Sequence, residues 1–317
     1  MSAECSFSEL VEGYLTMRRS LGYRLERQAT YLRGFGAYLD RAQGSGPVLL
    51  ERSAEWACAT TSTDPHHPAR RLAIVRGFLS YLAGIDGASE VPPGGFLGPT
   101  CHRTPPHIYT DEEIDRLLQA AAELPPHDGL RPQCYVTLFG LLACTGLRIS
   151  EAVALSLDDV DLAAGVLDVR AGKGGKPRLV PLHPSAVELL ASYASQRERL
   201  GTSGGFFRTE RNERLSTHAV EVTFRRLRRQ LGWEKEGGAR PPRVHDLRHR
   251  AVVKRVLLWH AESADVDAKL PVLATYLGHT LVSDLYWYFS ATPELMGIAA
   301  ERFASGTPGE QSFDGAR

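Results

Sequence analysis

A chain of 317 residues with 43% apolar content is long enough for two domains, each able to bury its own core. Lys plus Arg equals Asp plus Glu at 37 each, so net charge argues neither for nor against a nucleic-acid partner, and any such surface must come from local sorting of charge. Five cysteines without a CxxC pair suggest no disulfide framework or zinc knuckle, and the early acids Glu4 and Glu9 and the lack of a long apolar run exclude a signal peptide and a membrane span, which leaves a soluble, cytoplasmic protein as the expectation.

Residues 6–83 read as four helices. Ser6 and Glu9 form a capping-box pattern ahead of Phe7, Leu10, Val11, Tyr14 and Leu15, which share one helical face. Gly22 is a stop signal, and a second face follows in Leu25, Ala29, Leu32, Phe35 and Leu39. A shorter element surrounds Trp56, and a fourth runs through Leu72, Val75, Phe78, Leu79 and Leu82. Arginines stud the polar faces: Arg18, Arg19, Arg24, Arg27, Arg33, Arg41, Arg70, Arg71 and Arg76. They are either a solvated helix surface or a face that tracks phosphates.

Gly and Pro then dominate up to residue 109, the composition of a linker. Thr110 with Glu113 caps a new helix, so a second domain starts near 110. Apolar residues at 135–144 predict a buried helix. Gly165–Val169 and Arg178–Leu182 predict two strands around the turn Gly172-Lys173-Gly174-Gly175. Helices are expected at 184–200, 216–231 and 245–259, with shorter helical pieces at 270–277, 281–289 and 293–303. The Gly-rich, polar stretch after 304 reads as a mobile tail.

Four segments carry the chemistry: Thr145-Gly146-Leu147-Arg148-Ile149-Ser150-Glu151, Gly172-Lys173-Gly174, His245-Asp246-Leu247-Arg248-His249, and Leu277-Gly278-His279 followed by Tyr288. Each alone has a bland reading. Arg148 opens a helix and can simply pair with Glu151, and Lys173 can be a solvated turn residue. His245 and Arg248 can cap and pair locally, His279 can be structural, and an aromatic run such as Tyr286-Trp287-Tyr288-Phe289 is usual in cores.

Together they supply two arginines, a lysine, two histidines and a tyrosine. That set matches phosphodiester transfer without a metal. The pentavalent transition state gathers negative charge on non-bridging oxygens, and a guanidinium fork binds two of them at once. Tyrosine can be the nucleophile, and lysine can protonate the departing 5′-oxygen. Histidine suits proton exchange near neutral pH.

The order Arg, Lys, His-x-x-Arg, His, Tyr resembles the tyrosine recombinase (phage integrase) family over residues 110–303. The helical N-terminal unit resembles that family's core-binding domain. Thr145–Glu151 is similar to the first-arginine box, Gly172–Arg178 to the β-hairpin lysine box, His245–His249 to the second box and Leu277–His279 to the third, and the spacing from His279 lands on Tyr288. Arg250-Ala251-Val252 departs from the Thr-Phe-Ala that often follows the second box, and Asp265–Pro271 is longer than in compact members, closer to transposon-borne integrases.

The resemblance implies an α+β fold. An all-α core-binding (SAM-like) domain at 1–86, a linker at 87–109 and a mainly α catalytic domain with a small β-hairpin or sheet at 110–304 would close as a C-shaped clamp on DNA, with a tail at 305–317. It implies a site-specific recombinase that cleaves and rejoins duplex DNA through a 3′-phosphotyrosine on Tyr288. Arg148, Lys173, His245, Arg248 and His279 would assist, with Glu151 as a positioning residue. It implies no metal, cofactor or ATP, a tetramer on two DNA sites, and accessory recombination proteins as further partners. Three rivals stand beside it: relaxation of one duplex in the manner of a type IB topoisomerase, a silent architectural DNA-binding protein, and a metal site of His245, His249 and His279, for which no acid or thiol lies at ligand spacing.

Overall fold

In the computed structural model of the chain, residues 6–101, 105–170, 177–198, 205–234, 240–279, 281–289, 292, 294–298 and 300 are described. The chain divides into two compact units, Met1–Arg103 and Thr104–Arg317.

The first unit contains α1 (Phe7–Ser20), α2 (Glu26–Ala42), α3 (Leu50–Cys58) and α4 (His67–Asp86). Ser6 Oγ accepts the Glu9 N–H at 3.2 Å and the Glu9 carboxylate accepts the Ser6 N–H at 2.8 Å, the reciprocal cap expected from the sequence. Asp40 of α2 accepts the backbone N–H of Phe7 at 2.7 Å and of Ser8 at 3.1 Å. A carboxylate thus satisfies orphan donors at the positive end of α1. Gly36 permits this approach, since a Cβ there would lie 3.1 Å from Val11 Cγ2 and 3.2 Å from the Phe7 carbonyl oxygen.

Val11, Leu15, Leu32, Phe35, Leu39, Val75 and Phe78 fill the core, with the Phe35 ring 4.9 Å from that of Trp56. Truncating Phe35 to Ala would cost about 3–5 kcal/mol. Part of the arginine-rich surface is engaged within the unit. Arg71 lies over Trp56 at 4.0 Å, Arg18 over Tyr23 at 3.9 Å, and Arg33 pairs with Glu12 at 2.6 Å.

The Gly- and Pro-rich stretch after α4 does not run free. Ser89 Oγ accepts the Val48 N–H at 3.0 Å, the Glu90 carboxylate accepts the Leu50 N–H at 2.6 Å, and Leu97 packs on the helical core. Further on, Tyr109 is buried in the second unit and its hydroxyl donates to the Arg243 carbonyl at 3.0 Å. Proline density denies these residues a helix but not packing.

The second unit opens with α5 (Asp111–Ala122), capped by Thr110 and Glu113 in the same reciprocal way. Then come α6 (Leu130–Thr145) and α7 (Ile149–Ala154), a three-stranded sheet, and α8 (Pro184–Arg197), α9 (Thr217–Gln230), α10 (Asp246–Ala261), α11 (Val266–Leu277) and α12 (Ser283–Phe289), with a further helical turn at 294–298. Helix α6 is apolar around its circumference because α5, α8 and α10 all pack on it.

The strands β1 (Val160–Asp161), β2 (Val166–Val169) and β3 (Arg178–Pro181) pair antiparallel in sequence order. Leu167, Val169 and Val180 face the core while Leu179 stays 67% exposed, the alternation of a half-buried sheet. The pairing of β2 with β3 ends at Val169 opposite Arg178. The turn Gly172-Lys173-Gly174-Gly175 beyond it lies outside the described residues, as does the tail 305–317.

Helix α11 begins earlier than its expected start at 270. Asp265 caps it through the Ala268 N–H at 3.0 Å, and Val266 and Leu270 are buried, which outweighs the donor lost at the internal Pro271. Helices α10, α11 and α12 enclose a second apolar cluster that includes Val252, Val256, Leu273, Leu285 and the ring of Tyr288.

Candidate active site

Two helix ends converge on one buried guanidinium. Helix α6 ends where Gly146 takes φ +66°, and a Cβ there would press on Leu277 and Ala251 at 3.1 and 3.3 Å. Helix α11 ends the same way at Gly278, φ +68°. Between them Arg248, only 2% exposed, donates from Nη1 to the Gly146 carbonyl at 2.6 Å and from Nη2 to the Leu277 carbonyl at 2.8 Å. Its Nη2 also lies 3.0 Å from His279 Nε2, and its Nε lies 3.3 Å from the Tyr288 hydroxyl. Burial presses its pKa down, but a guanidinium starts so high that it stays charged. Among the described residues it pairs with no carboxylate.

Tyr288 is 4% exposed, and its hydroxyl lies 3.3 Å from both Arg248 Nε and His279 Nε2. Its ring sits 4.7 Å from that of His249 and 5.9 Å from that of His279. Asp284 accepts from His279 Nδ1 at 3.3 Å, which makes Nδ1 the protonated nitrogen and leaves Nε2 to accept. Desolvation and the neighbouring Arg248 hold the His279 pKa below its ordinary 6.5, against the opposing pull of Asp284. Tyr286, two positions earlier, is 58% exposed and edges Phe289 at 6.2 Å.

Arg148 stands at the N-cap of α7. Its backbone N–H donates to Glu151 Oε2 at 3.0 Å and its Nη1 to Oε1 at 2.8 Å, while its side chain stays 34% exposed. Arg148 therefore pairs locally, as its bland reading has it, and still presents part of its fork to solvent. Its charge depresses the pKa values of His245, Arg248 and His279, so it belongs to the same electrostatic neighbourhood. Glu151 is buried, which opposes ionisation, yet hydrogen bonds from Arg178 and Arg148 win and hold its pKa at about 2.

Helix α10 presents His245, Arg248 and His249 on one face. Its start is fixed by buried Asp246, which accepts from Arg240 at 2.9 Å and from the Arg243 N–H at 2.8 Å. The His245 ring is exposed on one side but edges His249 at 5.3 Å, and partial desolvation with the charge of Arg248 lowers its pKa. Lys173 lies outside the described residues.

Two further residues stand in this site: Arg178, which the sequence gives no individual role, and His249, which it offers only as a ligand of the rival metal site. Arg178 binds both oxygens of Glu151, at 3.2 and 2.9 Å. His249 is 5% exposed, and burial drives its pKa to about 3, so its ring against Tyr288 is neutral. The signal for His249 was its spacing on α10, and for Arg178 only its place at the start of a strand. Among the described residues, His245, His249 and His279 form no metal-ligating group with acids or thiols.

The arrangement can hold an anion against guanidinium groups while a phenol and a neutral imidazole share a hydrogen-bonding contact. Residues 108–294 match the model of the phage integrase family. The chain is 38% identical over 304 residues to the putative integrase/recombinase y4rB of Sinorhizobium fredii, covering 94% of this chain and 96% of that one. It is 30% identical over 214 residues to the tyrosine recombinase XerC of Chlamydia caviae, covering 67% and 63%. In fold it resembles the Tn1549 transposon integrase solved in complex with transposon right-end DNA, at TM-score 0.67 and 17% identity over 94% of this chain and 99% of that one.

Proposed function

Because the chain belongs to the phage integrase family and is a tyrosine-type site-specific recombinase, we propose that Tyr288 cuts and rejoins duplex DNA as a covalent nucleophile. The observation that carries this reading is the Tyr288 hydroxyl 3.3 Å from both Arg248 Nε and His279 Nε2. A phosphate held by Arg248 and Arg148 then lies beside the attacking oxygen, and His279 Nε2 is placed to take its proton.

In the first step the Tyr288 oxygen bonds to phosphorus and the bond from phosphorus to the 5′-oxygen breaks. The product is a 3′-phosphotyrosyl link and a 5′-hydroxyl. Lys173 protonates the departing 5′-oxygen, and His245 hydrogen-bonds the phosphate. A 5′-hydroxyl from a partner duplex reverses the step and restores Tyr288. The ester keeps the bond energy, so no ATP is consumed, and the guanidinium groups supply the charge that a divalent metal supplies elsewhere.

Joining strands from two duplexes requires more than one active site, which supports four copies on two DNA sites, with accessory proteins as further partners and the reaction in the cytoplasm with its DNA. The test is incubation with DNA flanking the gene, followed by a denaturing gel. A covalent protein–DNA adduct in excess EDTA is the expected result. A strict magnesium requirement for cleavage would overturn the mechanism.

A further inference from the structure

Arg178, the first residue of β3, is nearly buried, its side chain 6% exposed. Its Nε donates to the Tyr276 carbonyl at 2.7 Å, and its Nη1 and Nη2 donate to Glu151 Oε1 and Oε2 at 3.2 and 2.9 Å. The same carboxylate receives the Arg148 N–H on Oε2 and Arg148 Nη1 on Oε1. Each oxygen of Glu151 therefore serves both arginines. Gly278 leaves room for this, since a Cβ there would stand 2.7 Å from Arg178 Nη1.

The charges decide what this does. Two guanidiniums against one carboxylate leave one net positive charge. With Arg178 gone, buried Glu151 would turn wholly to Arg148, and a fork–fork pair would occupy the nitrogens that a phosphate needs. With Arg178 in place, Arg148 spends only Nη1 on Glu151 among its side-chain nitrogens and remains 34% exposed.

We propose that Arg178 is a positioning residue for Arg148: it takes both oxygens of Glu151 from behind, so that the remaining fork of Arg148 stays charged and open to the scissile phosphate. The proposal rests on the recombination reading. Through the Tyr276 carbonyl, Arg178 also ties β3 to the end of α11 just before His279. One side chain thus joins β3 to two other parts of the site.

The test uses the full-length protein and a duplex carrying the cleavage site mapped from the adduct, with either a normal phosphodiester or a methylphosphonate at the scissile position. The methylphosphonate lacks the non-bridging charge that Arg148 neutralises. Arg178→Gln is expected to slow adduct formation about a hundredfold on normal DNA, the scale of a small misplacement of a reacting group. Arg178→Lys, which keeps the charge but not the fork, is expected to lose about tenfold. It carries the test if the glutamine variant does not fold.

On the methylphosphonate both deficits should largely vanish, in parallel with Arg148→Ala. Equal impairment on both substrates would make Arg178 a structural residue and overturn the proposal. So would a deficit relieved only by a 5′-bridging sulfur, which would mean that Arg178 acts on the leaving-group acid. A wild-type protein that forms no adduct on normal DNA overturns the recombination reading itself, an outcome distinct from both.

Discussion

The Tyr288 hydroxyl meets the Nε of Arg248 at 3.3 Å, and that guanidinium is otherwise held by two carbonyls and a histidine. A buried cation without a carboxylate partner is costly to fold around. The carbonyls of Gly146 and Leu277, freed by two left-handed glycines, offset part of that cost. The uncompensated charge is what an incoming phosphate would neutralise.

If Tyr288 is the nucleophile, Tyr288→Phe abolishes the covalent adduct and leaves DNA binding nearly intact. Tyr286→Phe should retain adduct formation, since Tyr286 is 58% exposed and turned toward Phe289. Denaturing gels on both variants decide it. Loss of the adduct in the Tyr286 variant alone would move the chemistry two residues.

Replacing either Arg148 or Arg248 by Ala should slow cleavage by about 10²–10³-fold, the scale of one lost transition-state donor. Lysine should rescue poorly at 248, because a single ammonium cannot reach the Gly146 and Leu277 carbonyls and also serve a phosphate. Single-turnover rates measure this. Full activity in Arg248→Lys would exclude a bidentate role.

Two histidines make opposite use of low pKa values. If His279 is the base, it must be neutral, and its pKa lies below 6.5. Single-turnover cleavage should therefore be level through neutral pH and fall only on the acid side of about 6.5. For His249, the folded value near 3 against an ordinary 6.5 means that the unfolded chain binds a proton that the folded chain refuses. Its stabilising effect is full above pH 6.5 and fades as pH falls toward 3. His249→Phe keeps a ring against Tyr288 and removes the titration. Its urea midpoint should gain on wild type over that window, and parallel midpoints would refute the assignment.

The sequence displays most clearly what is local. Ser6 with Glu9 and Thr110 with Glu113 are reciprocal caps three residues apart, and the structure contains both. The motif order also placed Arg248, His279 and Tyr288 on one list, although only folding brings residues 31 and 40 positions apart into contact. What stayed hidden depends on tertiary partners. Arg178 reaches Glu151 across 27 positions, and nothing at the start of a strand announces a buried carboxylate. The linker composition of residues 87–109 reports proline and glycine content, not the apolar surface on which Leu97 settles. Helix α11 extends four residues ahead of the expected 270, because the cap at Asp265 and the burial of Val266 and Leu270 outweigh the donor missing at Pro271.

Lys173 tests the chemistry most directly. It lies between β2 and β3, outside the described residues, in a sequence whose flanking glycines read as a turn open to close approach of a backbone. Lys176 lies three residues on and is the natural control. If Lys173 protonates the leaving 5′-oxygen, its loss matters most where that oxygen leaves poorly as an alkoxide. A 5′-bridging sulfur needs little protonation. Lys173→Ala should therefore be slow on normal DNA and largely restored on the sulfur-bridged duplex, with both rates taken from adduct formation. Lys176→Ala should show no selective rescue, only weaker binding that worsens with salt if it touches a phosphate. Arg148→Ala serves as a second control, because a lost non-bridging contact is not repaired by a better leaving group. Equal impairment of Lys173→Ala on both substrates would remove the general-acid role and leave Lys173 a phosphate contact.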